Sequence, residues 1–186
     1  LRTASRPVIV AGGGVIGAEA TAELRALAER LGAPVVTTWN GKGAIDETHP
    51  LAGQTIGDTG STIGNALAAG ADVLLSVGCR FVDWSASSWR AGVTFAIPPT
   101  RLIQLDIDPR EIGKNYPVAV PLLGDARAGL EDLLAALGSG WLFDRTRGRV
   151  LLALPLLVAA VPVLAFGGSP LIVIAGVLLW GAAGGV

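Results

Sequence analysis

The chain has 186 residues and a formal net charge of −1, enough for one full domain and with no bulk excess of positive charge for nucleic acid. Its one cysteine, Cys79, excludes an intrachain disulfide, and its one histidine, His49, argues against a His/Cys metal site and leaves a Ser-His-Asp triad a single improbable candidate in a loop beside Pro50. No apolar run follows the charged start Leu1–Arg6, so no signal peptide is expected, and the lack of a starting Met reads as a fragment.

Pro7-Val8-Ile9-Val10-Ala11 is a short apolar run between a proline and a glycine cluster, the pattern of a buried strand. Gly12, Gly13 and Gly14 make a tight turn. Ala18 to Leu31 follows with Leu24, Leu27, Ala28 and Leu31 on one face, the pattern of an amphipathic helix ended by Gly32. The spacing Gly12-x-Gly14-x-x-Gly17 fits a phosphate-holding turn, where bare N–H groups face an anion, and it fits equally a plain strand-to-helix connection. Pro34 to Thr38 is β-branched and reads as a second strand. Gly41 then lies in a glycine-rich loop at that strand's carboxyl end, the edge at which open α/β sheets bind ligands.

Residues 45–60 read mostly as loop. Gly57-Asp58-Thr59-Gly60 offers one aspartate with no downstream asparagine, too little for a metal or thiamine-diphosphate site. Ser61 to Ala69 reads as a short helix capped by Ser61 or Thr62, and Asp72 to Gly78 as a third strand buried on both faces. Arg80 follows that strand, placed either to pair with a phosphate or carboxylate or to form a surface salt bridge. Asp83 to Phe95 reads as a loop whose Trp84 and Trp89 point to an interface or to packing over the sheet edge. Arg101 to Pro109 reads as a fourth strand with Asp106 and Asp108 on one side, able to accept ribose or amide hydrogens; for Asp108 capping of the following turn is favoured. Val118 to Leu123 reads as an edge strand because of Pro121, and Asp125 as the N-cap of a helix to Leu137.

Taken together, Arg6–Gly14, Pro34–Thr38, Gly41–Ile45, His49-Pro50-Leu51, Ala71–Leu75, Gly78-x-Arg80-Phe81, Ile107-Asp108-Pro109-x-Glu111–Asn115 and Gly124-Asp125-Ala126 make residues 5–137 resemble the central domain of thiamine-diphosphate-dependent enzymes, in particular the acetolactate synthase large subunit. The resemblance implies an α/β fold, a Rossmann-like parallel sheet of about six strands flanked by helices. It implies a domain that binds FAD, ADP or nothing, with Gly12, Gly13, Gly14, Arg80, Asp106 and Asp125 near the ligand and Gly41 as a weaker addition. Thiamine diphosphate and Mg would belong to domains missing here. No catalytic residue, no metal ligand and no carboligase activity are therefore expected of this chain alone. An NAD-dependent oxidoreductase, read from the glycine turn, lacks a Tyr-Lys or His-acid pair, since Tyr116 and His49 stand alone.

The chain changes character near residues 138–140. Residues 1–137 carry a net charge of −3, whereas nothing after Arg149 is charged. The uncharged runs 150–166 and 171–186 predict an apolar, membrane-crossing helical hairpin over 141–186, with the preceding arginines on the cytoplasmic side. Gly140-x-Leu142-x-Asp144-Arg145 with Gly148-Arg149 resembles the cytoplasmic loop motif of major facilitator superfamily transporters, one residue too long. The expected organisation is thus a cytoplasmic nucleotide- or FAD-binding domain, a junction at 138–140, and a tail. The alternative is a membrane-anchored fusion or transporter fragment carrying the soluble domain as passenger.

Overall fold

The structure, a computed structural model, describes residue 1 and residues 3–146, with side chains as far as residue 138. Ten regular elements make it up: β1 (Pro7–Ala11), α1 (Gly13–Gly17), α2 (Thr21–Leu31), β2 (Val35–Thr37), β3 (Ala52–Thr55), α3 (Thr62–Gly70), β4 (Val73–Val77), β5 (Arg101–Asp106), β6 (Val120–Leu123) and α4 (Ala126–Thr146). Three short 3₁₀ turns lie at Trp39–Gly41, Asp83–Ser85 and Ser87–Trp89. The contacts of Leu1–Ala135 form one compact unit.

The six strands form one parallel sheet in the order β3-β2-β1-β4-β5-β6. The strands are apolar because helices cover a parallel sheet on both faces. Ile9, Val10, Val35, Leu74, Leu75 and Leu105 are all buried, and Leu24, Leu27 and Ala28 of α2 are buried with them. Val8, Val10, Val36, Leu74 and Leu102 share a core cluster with Phe81, Phe95 and Tyr116. Those three rings meet edge-to-face, with centroids 5.3–5.7 Å apart. Two caps follow the sequence: Ser61 Oγ accepts the Gly64 N–H, and Asp125 Oδ1 accepts the N–H groups of Arg127 and Ala128.

The structure departs from the sequence expectations at four places. The first helix is two. α1 begins at Gly13, and the chain turns at Glu19, which takes a left-handed φ of +51°, before α2 starts at Thr21. The segment 45–60 is not all loop, because β3 pairs with β2 at the sheet edge. Ala-Gly-Gln-Thr lacks the apolar alternation of a strand because Gly53 lies directly beneath α3: a Cβ there would stand 2.8 Å from Val36 Cγ1 and 3.0 Å from Leu67 Cδ1. The fourth expected strand stops at Asp106, so Asp108 lies in the turn beyond it and is bound to Arg110. The last helix does not end at Leu137 but runs through the Gly138-Ser139-Gly140 junction, since a helical glycine costs only ~1 kcal/mol relative to alanine. The expected apolar runs 150–166 and 171–186, and with them the hairpin and its membrane crossing, lie outside the described residues; among the described residues no helix is long and apolar enough to cross a membrane.

Gly32 closes α2 at φ +61°, and its N–H and that of Ala33 cap the helix carbonyls of Glu29 and Ala28. A Cβ there meets no neighbour, so the cost of a side chain is conformational alone. Gly32→Ala should therefore lower the unfolding free energy by about 1 kcal/mol in urea titration with an unchanged m-value.

Candidate functional site

The strand order reverses between β1 and β4. The chain leaves β1 toward β2 on one side and returns through α3 to β4 on the other, so the loops after the two strands part and leave a cleft at their carboxyl ends. Its floor is glycine packed on glycine. The Gly12 N–H donates to the Val77 carbonyl at 2.9 Å, and the Gly14 N–H to the Gly78 carbonyl at 3.1 Å. A Cβ on Gly12 would lie 2.0 Å from the Gly78 oxygen, and one on Gly14 2.7 Å from Gly78 Cα. Gly41 does the same from the third loop, where a Cβ would lie 2.1 Å from the Ala11 carbonyl oxygen. These distances are far inside contact, so the three turns pack backbone to backbone only because side chains are absent.

The cleft has a volume of about 430 Å³. Of the sequence-predicted residues, Gly13, Gly14, Arg80, Asp106 and Asp125 line it together. Gly12 and Gly41 do not line it; they lie behind it and shape its floor. Asp106, at the end of β5, is only 6% exposed, and its Oδ1 accepts the Asp108 N–H at 3.0 Å. Asp125 is exposed, with Oδ1 occupied by its own helix, so the N–H groups of Arg127 and Ala128 at the start of α4 are already satisfied.

Arg80 is exposed, but its backbone is fixed from behind. Asn115 Nδ2 donates to the carbonyls of Arg80 and Phe81, both at 3.0 Å. Trp89 Nε1 donates to the same Phe81 carbonyl at 2.9 Å. Phe81 takes φ +50° and sinks its ring into the aromatic core. Behind Asn115, buried Gln104 spans its own turn, donating to the Glu111 carbonyl and accepting the Gly113 N–H. A left-handed non-glycine residue costs roughly 1–2 kcal/mol, and this frame holds it in place.

A second cavity, about 410 Å³, continues the cleft toward β2 and shares Asn40, Val82 and Ser85 with it. Its walls carry Trp39 and Trp84, which are 73% and 67% exposed. Sequence reading placed Trp84 at an interface or over the sheet edge and Trp39 and Asn40 in a glycine-rich loop at the ligand-binding edge, and it gave Ser85 and Asn115 no part in a site. A glycine-rich loop after β2 was the one available signal for Trp39 and Asn40.

Other candidates are engaged elsewhere. His49 uses both ring nitrogens, Nε2 with Glu29 Oε1 at 3.1 Å and Nδ1 with the Leu51 N–H at 3.2 Å. Asp58 pairs with Arg90 at 3.3 Å. Arg110 hydrogen bonds hold the Asp108 carboxyl at about 2, below the usual carboxylate range, and fix it to its own turn. Tyr116 is buried among the aromatic rings, and that burial pushes its phenol up to about 12, out of range for proton transfer near neutrality. Among the described residues, no three His, Cys, Asp or Glu side chains converge to hold a metal ion. The cleft therefore offers bare backbone, the Arg80 guanidinium, the buried Asp106 carboxylate and the exposed Asp125 carboxylate. A guanidinium of that kind can pair with a phosphate, and a carboxylate can accept hydroxyl hydrogens.

Residues 1–133 match the family described as "Thiamine pyrophosphate enzyme, central domain". The chain is 47% identical over 132 residues to a probable acetolactate synthase large subunit of Methanocaldococcus jannaschii, covering 71% of this chain and 22% of that protein. It is 44% identical over 137 residues to the corresponding protein of Methanococcus aeolicus, covering 74% and 22%. It is 44% identical over 131 residues to the acetolactate synthase large subunit of Corynebacterium glutamicum, covering 70% and 20%. The chain thus spans about a fifth of the length of the curated relatives it matches.

Cys79 lines the cleft yet is only 2% exposed, and burial pushes its thiol up to about 11 from 9.0. Its reaction with a disulfide reagent at pH 8 should be at least about a hundredfold slower than that of the same thiol in the urea-unfolded chain, followed by thiolate release.

Proposed function

This chain belongs to the thiamine pyrophosphate enzyme central-domain family, and we propose that its cleft holds an adenine nucleotide, FAD or ADP, as a structural ligand rather than a reactant. The observation that carries the reading is the convergence of Gly13, Gly14, Arg80, Asp106 and Asp125 on one cleft at the point where the strand order reverses. Gly13 and Gly14 carry no side chain to keep a diphosphate off the backbone, although the Gly14 N–H is already given to Gly78, and Arg80 supplies the charge to pair with it. Asp106, buried and aimed at the cleft, accepts ribose hydroxyl hydrogens, with Asp125 beside it. Gly12 and Gly41 act one layer back, by letting the loops close. The residues fit the group in charge as well as shape: one cation faces the phosphates, and the acids lie toward β5 and β6.

Between the two ligands, the cavity walled by Trp39 and Trp84 favours FAD. ADP ends at its phosphates, whereas FAD carries a flat ring beyond them, and exposed tryptophans in the cavity that continues the cleft are a stacking surface for such a ring. FAD supplies no chemistry here on this reading; the chain's own part is to hold it. At the level of the parent protein, the relatives named acetolactate synthase support a thiamine-diphosphate-dependent carboligase. In that protein thiamine diphosphate and magnesium would be held by domains outside this chain, which alone has no carboligase activity. Residues 1–137 would work in the cytoplasm.

Titration of the 186-residue chain with FAD and with ADP, followed by flavin fluorescence and melting temperature, tests the reading. Saturable binding should raise the melting temperature, and Arg80→Ala should weaken both ligands about tenfold or more, as expected for a lost charge-assisted hydrogen bond. Trp84→Ala should weaken FAD and leave ADP unchanged. A folded chain that shows no shift with either ligand at millimolar concentration overturns the proposal and leaves the domain a spacer.

A further inference from the structure

The cleft has two facing walls. One is built by Gly13, Gly14, Gly17 and Ala18, and the other by Gly124, Asp125 and Ala126 at the start of α4. The next residue, Arg127, reaches back from the second wall to the first. Its Nη2 donates to the Glu19 carbonyl at 2.5 Å and stands 3.7 Å from Glu19 Oε2, while its Nε stands 3.9 Å from Glu23 Oε1. The partners are well chosen for leverage. Glu19 is the left-handed residue at which α1 gives way to α2, so a pull on its carbonyl moves the end of the glycine-bearing helix.

The contact is incomplete. Arg127 Nε and Glu23 Oε2 are both buried and both lack a hydrogen-bond partner. The two side chains, 43% and 22% exposed, therefore stand at ion-pair distance with those two buried atoms short of the hydrogen bond that would join them. With the Nη2–Glu19 contact kept, a shift of about 1 Å of Glu23 on α2 toward the guanidinium would bring Nε···Oε1 into hydrogen-bond range.

We propose that Arg127 is a clasp between the two walls of the cleft: a positioning residue that touches no ligand and couples occupancy to the seating of the α1–α2 bend. A ligand gripped by both walls seats the α1–α2 bend against the start of α4 and completes the Arg127–Glu23 bond. That bond in turn holds the ligand. The inference rests on the nucleotide reading above.

The test is ADP binding by calorimetry to the 186-residue chain and to Arg127→Ala, Arg127→Lys, Glu23→Gln and the Arg127→Ala/Glu23→Gln double variant, with amide exchange over residues 18–21. Arg127→Ala should weaken ADP about tenfold, mainly by faster dissociation. Glu23→Gln should weaken it in the same direction, and the double variant should bind no worse than Arg127→Ala, because both act through one contact. Arg127→Lys keeps the charge, loses the fork, and should recover only part of the loss. ADP should slow exchange at residues 18–21 in the unmodified chain and not in Arg127→Ala. Should Arg127→Ala misfold, Glu23→Gln, which preserves the shape of the carboxylate, carries the same comparison. Unchanged affinity in the folded variants, or losses that add in the double variant, overturns the clasp while leaving the nucleotide reading intact. No ADP binding by the unmodified chain overturns both.

Discussion

Everything at the carboxyl edge of this sheet depends on the backbone-to-backbone approach of the turns after β1 and β4. Gly12 and Gly14 on one side and Gly78 on the other leave no room for even a methyl group, and two hydrogen bonds cross between the turns. The approach fixes the start of α1 against the end of β4, and it sets where Cys79 and Arg80 leave the sheet. Gly78 also holds φ +56°, which sends the chain sharply into that loop. An alanine in this floor would either push the turns apart or strain the strands that feed them. The glycines are therefore explained first by packing. Any capacity to hold a phosphate is a consequence of the bare backbone that packing requires.

From that floor outward, the fold spends polar groups on fixing the walls. Gln104 secures the 111–113 turn, Asn115 hangs from that turn and holds the 80–81 carbonyls, and Asp125 caps the helix at the far wall. The edge that would meet a ligand is left with few unspent groups, chiefly the Arg80 guanidinium and the second oxygen of Asp106. Such an economy suits recognition. Elsewhere His49, Asp58 and Asp108 are tied to local partners.

Much of this was legible in the sequence, and what was not has particular causes. Strands β1, β2, β4 and β5 show as apolar runs because both of their faces are buried, and Pro121 marks β6 as an edge. β3 was illegible because what makes it fit is the absence of a side chain at Gly53 under α3, which looks like loop composition. The break at Glu19 leaves no mark, since no glycine or proline announces a left-handed residue there. Asp106 and Asp108 lie only two residues apart, yet turn capping was already the favoured reading for Asp108, whose Oδ1 accepts the Arg110 N–H, while Asp106 is buried at the cleft. Arg127 was invisible as a partner of Glu19 and Glu23, because the pairing spans more than a hundred residues. Local pattern thus gave the elements, and the non-local contacts that define the walls required the fold.

The sheet's topology also bears on what a structural ligand would accomplish. Its halves, β3-β2-β1 and β4-β5-β6, meet along the single β1–β4 ladder. The cleft lies over that seam, with glycine backbone from the first half on one side and Arg80, Asp106 and Asp125 from the second on the other. A ligand spanning it would tie the halves together through contacts that vanish on unfolding. By mass action such a ligand adds about 2.7 kcal/mol to stability when its free concentration is a hundred times its dissociation constant. For a domain of this size, that is a large share of a typical total of about 5–15 kcal/mol. A nucleotide that never reacts could therefore be retained for the stability of the seam alone, and selection on the site would then act on affinity and not on the chemistry of the bound group.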